Sequence, residues 1–287
     1  MNSIIINNLS FSYGKKTVLK NININIENGL YGLLGKNGAG KTTLMKLIVG
    51  LLPTISGEIQ VCGQTSSKDI RKLVGYLPQD FDFYPEMKIK EALIYLGTLD
   101  NIKRVELNKR VDKLLDLVNL SQDSNKKIKS LSGGMKRRLG IAQSLLNNPQ
   151  ILIVDEPTAG LDPEERIRFR NLLSDLSTEK IVVFSTHIAS DLESTANRIG
   201  ILDNGNFIYD GSVAGLLNEY SGGTYETIVA RADYANFKSE YMIFEQKEVQ
   251  EGILVRFIHT GRPLEQFKRI PPSLESAYLM KIHERRD

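Results

Sequence analysis

The stretch that decides the fold reads "GKNGAGKT" (residues 35–42), and it matches the phosphate-loop pattern G-x-x-x-x-G-K-[ST] at every constrained position. The apolar run "LYGLLG" (residues 30–35) precedes it and predicts a buried strand. Leu44, Leu47 and Ile48 follow at helical spacing and predict a helix. A glycine loop between a strand and a helix is typical of a phosphate site. A plain glycine turn before an ordinary helix is the alternative.

The loop residues have separate roles at a phosphate group. Glycines let successive backbone amides point at an anion, and the N-terminus of the helix adds partial positive charge. Lys41 is expected to reach the β- and γ-phosphates of a nucleotide, and the Thr42 hydroxyl is expected to bind Mg²⁺.

A second motif, "ILIVDE" (residues 151–156), predicts a strand that is buried on both faces and ends in two carboxylates. Asp155 can hold the hydration shell of Mg²⁺. Glu156 can orient or deprotonate an attacking water. An acidic strand end that faces solvent is the alternative for this motif alone. Because it follows a phosphate loop in the same chain, the two motifs together predict nucleotide hydrolysis.

Strands and helices alternate along the first part of the chain, which favours an α/β fold with a parallel sheet. Further strands are predicted at residues 3–27, 57–63, 73–78 and 180–187. Helices are predicted at residues 88–119, 132–146 and 163–176. The stretch 88–147 contains no predicted strand and therefore indicates a helical insert. From residue 222 onward short strand-like runs precede a helical pattern, which predicts a small α+β appendage.

Composition limits the classes of function. The net charge is +3 and the basic residues are mixed with acidic ones, so no nucleic-acid partner is expected. The single cysteine, Cys62, excludes a disulfide within the chain and is typical of a reducing compartment. No run reaches the roughly 18 apolar residues of a spanning helix, and no signal peptide is expected.

Three further motifs accompany the phosphate loop: "LSGG" (residues 131–134), "VDEPTAGLD" (residues 154–162) and His187 after the next predicted strand. Together with the loop, they make residues 1–218 resemble the nucleotide-binding subunit of an ATP-binding cassette (ABC) transporter. The resemblance implies a P-loop NTPase core of the ABC ATPase type with a β-subdomain and a helical insert at about residues 80–147. Residues 222–287 would then be a C-terminal accessory domain.

The resemblance implies that ATP and Mg²⁺ are the cofactors. The implied catalytic residues are Glu156, His187, Lys41 and Gln79. The implied ATP contacts within one chain are Tyr13, Gly35, Lys36, Asn37, Gly38, Ala39, Gly40, Lys41, Thr42 and Thr43. The implied Mg²⁺ ligands are Thr42, Gln79 and Asp155. Tyr13 would stack on adenine, and a core aromatic is its alternative.

In this family two domains pair head to tail, as a homodimer or as two different ABC subunits, with ATP between them. The implied contacts from the opposite subunit are Ser132, Gly133, Gly134 and Asp162. The glycines lie at a helix start, where the first amides have no intrahelical acceptor, so a phosphate can approach. Ser132 as a plain N-cap is the alternative, and for Asp162 the N-cap role is compatible with the interface role. Met135 stands where the family commonly has glutamine and cannot make that polar contact.

A separate integral-membrane permease is the implied second partner, which would place the chain in the cytoplasm on the inner face of the membrane. Phe81, Phe83 and Tyr84 either contact that permease or pack inside. The tail "PPSLESAYLMKI" (residues 271–282) resembles export-type ATPases, which favours export of a drug, peptide or lipid-like substrate. An importer ATPase, or a soluble ABC-type ATPase acting on a ribosome or nucleic acid, is the alternative. The tail could equally be a dimer brace or a regulatory module.

Overall fold

Contacts divide the chain into two compact units in the computed structural model, which describes residues 2–259, 261 and 264–284. The first unit comprises the residues up to His187 and Thr195–Asp210, and the second comprises Ile188–Ser194 and the residues from Gly211 onward. The sequence pattern changes at residue 222, which lies after the boundary at Gly211 that the contacts define. Contacts place the boundary earlier because the segment from Gly211 and the short helix before Thr195 pack with the C-terminal residues.

The strands follow the predicted alternation with helices. They are β1 (Ile4–Tyr13), β2 (Lys16–Ile26), β3 (Gly29–Leu34), β4 (Ser56–Val61), β5 (Val74–Leu77), β6 (Ile151–Asp155), β7 (Ile181–Thr186), β8 (Arg198–Asp203), β9 (Asn206–Ser212), β10 (Thr224–Val229), β11 (Met242–Val249), β12 (Gly252–Ile258) and β13 (Lys268–Arg269).

The helices connect these strands. They are α1 (Lys41–Ile48), α2 (Ser67–Leu73), α3 (Ile89–Leu99), α4 (Arg104–Leu117), α5 (Gly133–Ser144), α6 (Pro163–Leu176), α7 (Ala189–Glu193), α8 (Val213–Glu219), α9 (Tyr234–Glu240) and α10 (Leu274–His283). Within the described part of the chain, no helix is both long enough and apolar enough to cross a membrane.

A six-stranded sheet in the order β5-β6-β7-β3-β8-β9 organises the first unit. Neighbouring strands from β5 to β8 pair in parallel, as the alternating pattern predicts. Every residue of β6 and of β7 is buried, which is typical of central strands in a parallel sheet. Because the strands run in one direction, their carboxyl ends lie at one edge.

An antiparallel sheet in the order β2-β1-β4 packs against this core. Ile22, Ile24 and Ile26 are buried while the residues between them are exposed, so the period of two that predicts this strand is confirmed. These isoleucines share one apolar cluster with β3 and α1. The hairpin is therefore held beside the loop that follows β3.

The stretch at residues 88–119 is helical, as predicted, and it contains two helices, α3 and α4. Asn101 has a φ of 61° in the connection between them. That left-handed conformation stops a right-handed helix, and asparagine tolerates it better than most residues. The sequence pattern also missed α2, whose only buried residue is Ile70.

The second unit contains a four-stranded sheet in the order β11-β12-β10-β13. One face carries Tyr225, Val255 and Phe257, which pack with Phe237 of α9 in an aromatic cluster. Helices α7, α8 and α10 also contact one another within this unit. The sequence pattern missed α9 and β11, since neither element contains a buried residue that would mark its inner face.

Gly75 of β5 provides a test of this packing. A Cβ atom there would lie 2.1 Å from the Ser144 carbonyl oxygen at the end of α5. Because backbone must move, we expect Gly75→Ala to lower the free energy of unfolding by about 1–3 kcal/mol, measured by urea denaturation. Gly133→Ala is the control, since nothing lies within 4 Å of its Cβ position, and it should change stability by no more than about 0.5 kcal/mol. Equal denaturation midpoints for Gly75→Ala and the native chain would contradict the close packing.

Candidate functional site

The loops that follow five strands of the parallel sheet meet at its carboxyl edge. β3 leads into the glycine loop at residues 35–40, β5 into Gln79, β6 into Glu156, β7 into His187 and β8 into Asn204. Ligands of α/β proteins bind at this edge because parallel strands bring their loops together there. The strand order therefore gathers side chains that lie far apart in the sequence.

The glycine loop after β3 needs glycine at two positions for steric reasons. Gly40 has a φ of 113°, and a Cβ atom there would lie 2.8 Å from Leu19. A Cβ atom on Gly35 would lie 2.4 Å from the Leu202 carbonyl oxygen. Both glycines let the loop approach the neighbouring residues closely, which sets its curvature.

The start of α1 presents backbone amides to this loop. Gly40 occupies the N-cap position and supplies no side-chain cap, and the bond from Leu44 N to Gly40 O is the first of the helix. The amides of Lys41, Thr42 and Thr43 precede it and so have no intrahelical acceptor. Together with the helix dipole, they form a site suited to an anion.

A cavity of about 780 Å³ opens beside α1. Most of its lining was predicted from the sequence: Tyr13, Lys36, Asn37, Gly38, Gly40, Lys41, Thr42, Thr43, Gln79 and Glu156. The remaining lining residues were not predicted: Lys16, Thr17, Val18, Lys20, Asn204 and Gly205. Gly35 and Ala39 belong to the same loop and are buried beneath it. The volume and the cationic lining fit a phosphorylated ligand of nucleotide size.

Lys41 is buried, with 5% of its side chain exposed, and its ammonium group is compensated within the site. Lys41 Nζ donates to the Gly35 carbonyl oxygen at 2.6 Å and lies 3.1 Å from Glu156 Oε1. A buried cation needs such partners because transfer out of water is costly. The lysine that is expected to bind phosphate is therefore paired with the predicted base.

Glu156 also contacts His187, whose Nδ1 lies 2.7 Å from Glu156 Oε2. Glu156 has a φ of 47°, a left-handed conformation that a non-glycine residue adopts rarely. This turn at the end of β6 directs the carboxylate between Lys41 and His187. The contact joins three predicted catalytic residues that come from three different strand ends.

Asp155 is fully buried at the end of β6. Its Oδ1 accepts a hydrogen bond from Ser185 Oγ at 2.6 Å, whereas its Oδ2 has no hydrogen-bond partner among the described residues. A buried carboxylate oxygen without a partner is costly in an apolar interior and suits a cation or its water shell. The residues present therefore fit Mg²⁺, a hard cation that prefers oxygen ligands and keeps much of its water.

The phenol of Tyr76 lies in the same electrostatic environment. Burial, and then the negative charge of Asp155, raise the pKa of Tyr76 well above its ordinary value. The phenol is therefore neutral at physiological pH and adds no negative charge beside the buried carboxylate.

Tyr13 lies at the mouth of the cavity, with 48% of its surface exposed. Its ring meets the buried Phe11 edge-on, with ring centroids 5.0 Å apart. The exposed ring face is available for stacking on a flat ligand, and the ring does not belong to the core.

Ser132, Gly133 and Gly134 do not line the cavity, although their local structure is the predicted one. Ser132 Oγ accepts a hydrogen bond from Met135 N at 3.2 Å, so it is the N-cap of α5. Gly133 is exposed, with open space at its Cβ position. Asp162 is likewise exposed and caps α6 through a hydrogen bond from Glu165 N at 2.9 Å. Neither capped helix start faces the loop of its own chain.

Arg137 of α5 is a contact residue that the sequence analysis missed. Its Nη1 donates to the Gln79 carbonyl oxygen at 3.0 Å, and its guanidinium carbon lies 5.7 Å from the centre of the Phe81 ring. Burial lowers its pKa, and the charges of nearby acidic residues oppose that shift. The helix that begins at Ser132 is thus attached to the loop that carries Gln79.

The aromatic residues after Gln79 divide between core and surface. Phe83 is 8% exposed and therefore packs inside, which was the alternative to a contact with the permease. Phe81 packs edge-on against Phe83. Tyr84 is 59% exposed and meets Tyr95 of α3, which is 40% exposed, with ring centroids 5.7 Å apart. The exposed aromatic pair is therefore Tyr84 and Tyr95.

The missed cavity residues Asn204 and Gly205 lie in the turn between β8 and β9. Gly205 N donates to the Ala39 carbonyl oxygen at 3.2 Å, and Lys20 N donates to the Gly205 carbonyl oxygen at 2.8 Å. The sequence "DNGN" (residues 203–206) is a turn signal after a buried strand. That signal could identify the turn but not its place beside the glycine loop.

Comparisons with known proteins identify the family to which the chain belongs. The family model described as "ABC transporter" matches residues 19–159. The ABC transporter ATP-binding protein YxlF of Bacillus subtilis is 32% identical, covering 97% of this chain and 99% of that protein. The linearmycin resistance ATP-binding protein LnrL of the same species is 37% identical, covering 76% of this chain and 71% of that protein.

A third relative, the Nod factor export ATP-binding protein I of Cupriavidus metallidurans, is 31% identical over 93% of each chain. The solved structure of cbiO1 from Clostridium perfringens, part of the ABC transporter complex cbiONQ, matches with a TM-score of 0.69 and 25% identity. It covers 76% of this chain and 94% of that chain. The predicted P-loop α/β core of the ABC type is thereby confirmed, and the chain belongs to the ABC family as an ATP-binding, ATP-hydrolysing subunit of a transporter.

Proposed function

We propose that Mg-ATP occupies the cavity beside α1 and is hydrolysed by a water that Glu156 orients or deprotonates. The observation that carries this proposal is the contact of Glu156 with both Lys41 and His187. A cation, a base and a histidine are held at the ends of three neighbouring strands, β3, β6 and β7. Phosphoryl transfer depends mainly on such positioning and on electrostatic stabilisation.

The predicted site residues have separate roles in this proposal. Lys41 leaves Glu156 and pairs with the β- and γ-phosphates, while the loop and the first α1 amides, at residues 35–43, bind the phosphate oxygens. Tyr13 stacks on adenine, and His187 contacts the γ-phosphate. Thr42, Gln79 and Asp155 would hold Mg²⁺, which when bound would neutralise phosphate charge.

A second subunit completes the site, either another copy of this chain or a different ABC subunit. Ser132, Gly133 and Asp162 are exposed, Gly134 is buried at the same helix start, and none of the four lines the chain's own cavity. Helix N-termini with small residues suit a phosphate that arrives from outside. In the proposed pair, the α5 start of one subunit faces the glycine loop of the other, so that ATP closes the interface and hydrolysis releases it.

We further propose that this ATPase drives a separate membrane permease and that transport is outward. Two relatives are named for linearmycin resistance and for Nod factor export, which favours a drug, peptide or lipid-like cargo. Residues 1–218 would form the nucleotide-binding domain and residues 222–287 an accessory domain. The chain would lie in the cytoplasm, on the inner face of the membrane.

The Lys41–Glu156 contact predicts an effect on nucleotide binding that is separate from catalysis. Glu156→Gln removes the negative charge that compensates buried Lys41, so a phosphate becomes a better replacement partner. We expect ADP without Mg²⁺ to bind about tenfold more tightly, measured by isothermal titration calorimetry. The control is Glu58→Gln, an exposed residue of β4, which should leave the affinity unchanged. Equal or weaker ADP binding to Glu156→Gln would show that the contact does not compete with nucleotide.

The proposed reaction and the composite site are tested together with Mg-ATP. Glu156→Gln should lower the hydrolysis rate by about 10²–10⁴-fold, and Mg-ATP should drive an association of its subunits that the nucleotide-free chain lacks. Adding Ser132→Arg places a long side chain at the α5 start, so the double variant should bind ATP but show no association that depends on ATP. A Glu156→Gln chain whose association, measured by sedimentation velocity, does not change with Mg-ATP, even with its permease present, would contradict the proposal of a shared site.

The exposed aromatic pair predicts where a permease would dock. Tyr84→Ala combined with Tyr95→Ala removes this apolar surface and should reduce co-purification of the ATPase with its permease several-fold, while basal ATP hydrolysis stays near the native rate. Val105→Ala is the matched control, because Val105 is also exposed, at 75%, but lies outside the pair. Unchanged recovery in membranes for the double variant would place the docking surface elsewhere.

A further inference from the structure

Four charged side chains cross the sheet of the second unit in a straight row, one from each strand. In strand order they are Glu245 of β11, Arg256 of β12, Glu226 of β10 and Lys268 of β13, and each lies directly opposite the next in register. We call this row the charge ladder. Each ion pair between neighbours in the row is a rung. Arg256 Nη1 lies 2.8 Å from Glu245 Oε2, Arg256 Nε lies 2.9 Å from Glu226 Oε2, and Lys268 Nζ lies 3.0 Å from Glu226 Oε1.

The ladder lies on the sheet face opposite the aromatic cluster, because its residues alternate along β10 and β12 with Tyr225, Val255 and Phe257. The side chains at its ends are open to solvent: Lys268 is 73% exposed and Glu245 is 56% exposed. A second row follows two residues along the strands, with Leu254 of β12 between Ile228 of β10 and Lys247 of β11. Ile228 is 48% exposed, so this face offers apolar surface beside the charges.

Opposite charges in facing positions of neighbouring strands attract one another, which accounts for the alternation of signs within the chain. Each rung has a partner that is 39% or more exposed, and ion pairs open to solvent contribute only about 0.2–1 kcal/mol each, because the entropy cost of ordering long side chains offsets their attraction. The four signs run minus, plus, minus, plus, and the reversed order is plus, minus, plus, minus. A row with this property is complementary to its own reversed copy.

We propose that this face of the four-stranded sheet is an interface with a second copy of the same chain. A two-fold axis parallel to the strands places β11 opposite β13 of the other copy and β12 opposite β10. Every charge of the ladder then faces an opposite charge, and Leu254 faces Ile228 of the other copy. A two-fold axis across the strands would put each charge against its like, so the ladder selects one arrangement.

This interface differs from the proposed ATP-dependent pairing of subunits, because none of its residues lines the nucleotide cavity. It forms without nucleotide. Facing sheets lie about 10 Å apart and pack through their side chains. Long charged side chains can therefore reach those of the other copy, while Leu254 and Ile228 exclude water beside them. The association weakens as salt rises, because part of it is electrostatic.

The test uses charge reversals at the two ends of the ladder in the full-length chain, without nucleotide and with a chelator. Glu245→Lys places lysine against Lys268 of the other copy, and Lys268→Glu places glutamate against Glu245. Each variant alone should dimerise at least about tenfold more weakly than the native chain, measured by sedimentation velocity. Asp69→Lys, a reversal in an exposed ion pair of α2, is the control and should dimerise like the native chain.

Mixing the two variants distinguishes an interface from a structural role. Within one chain, Glu245→Lys only removes a rung of the ladder. Between chains, a Glu245→Lys copy that faces a Lys268→Glu copy restores opposite charges at all four positions. The equimolar mixture should therefore form a heterodimer of native affinity, although each chain still lacks one of its own rungs.

A monomeric native chain, single variants that dimerise like the native chain, or a mixture that stays monomeric would each overturn the proposal. Circular dichroism of the variants checks that they fold, and the combined variant Glu245→Lys/Lys268→Glu provides a second route. It loses two rungs within the chain yet restores every contact between copies, so it should dimerise. ATP-dependent association of Glu156→Gln is measured in the Glu245→Lys background, where the ladder contact is weakened, and its failure would leave this inference standing.

Discussion

Parallel pairing of the central strands is the constraint on which the site depends. β6, β7 and β3 run side by side in one direction, so the residues that follow them leave the sheet at one edge. Glu156, His187 and the glycine loop come from positions up to 152 residues apart in the sequence (residues 35 and 187). Apolar side chains on both faces of β6 and β7 hold these strands in register, and the register sets the distances within the site.

Electrostatic compensation explains the arrangement within that edge. Lys41 is buried, and Glu156 and two backbone carbonyl groups neutralise or accept from its ammonium group. In the proposed reaction, phosphate oxygens replace the carboxylate at the same cation, and Glu156 is then free to act on water. Asp155 is placed one residue earlier, where Ser185 satisfies one oxygen and leaves the other for a cation. Adjacent acidic residues thus have different environments and different chemistry.

The surfaces of the two units carry different groups and suit different partners. In the first unit the exposed helix starts at Ser132 and Asp162 present amides and small residues, which suit a phosphate. In the second unit the open sheet face presents alternating charges and a short apolar row, which suit another protein surface. If both proposals hold, a subunit that pairs with another around ATP gains a second contact that does not depend on nucleotide. The two contacts can then be tested one at a time.

The sequence by itself determined the features that depend on neighbouring residues. These include the glycine loop, the buried strand before it, the helix after it and the N-caps at Ser132 and Asp162, since each follows from a pattern a few residues long. The fold class followed because such patterns alternate along the chain. The break between α3 and α4 was missed, because a single left-handed residue, Asn101, leaves the apolar periodicity almost unchanged.

Only the tertiary structure decided which distant residues meet. The turn at Asn204 supports the glycine loop because β8 pairs with β3, and no local pattern records that pairing. The same holds for the burial of Phe83 beside exposed Tyr84, and for the contact of Arg137 with the Gln79 loop. The charge ladder needs the order and register of four strands, which depend on packing over the whole second unit. Strand order and register arise from the burial of complete faces, and a short stretch of sequence does not contain that information.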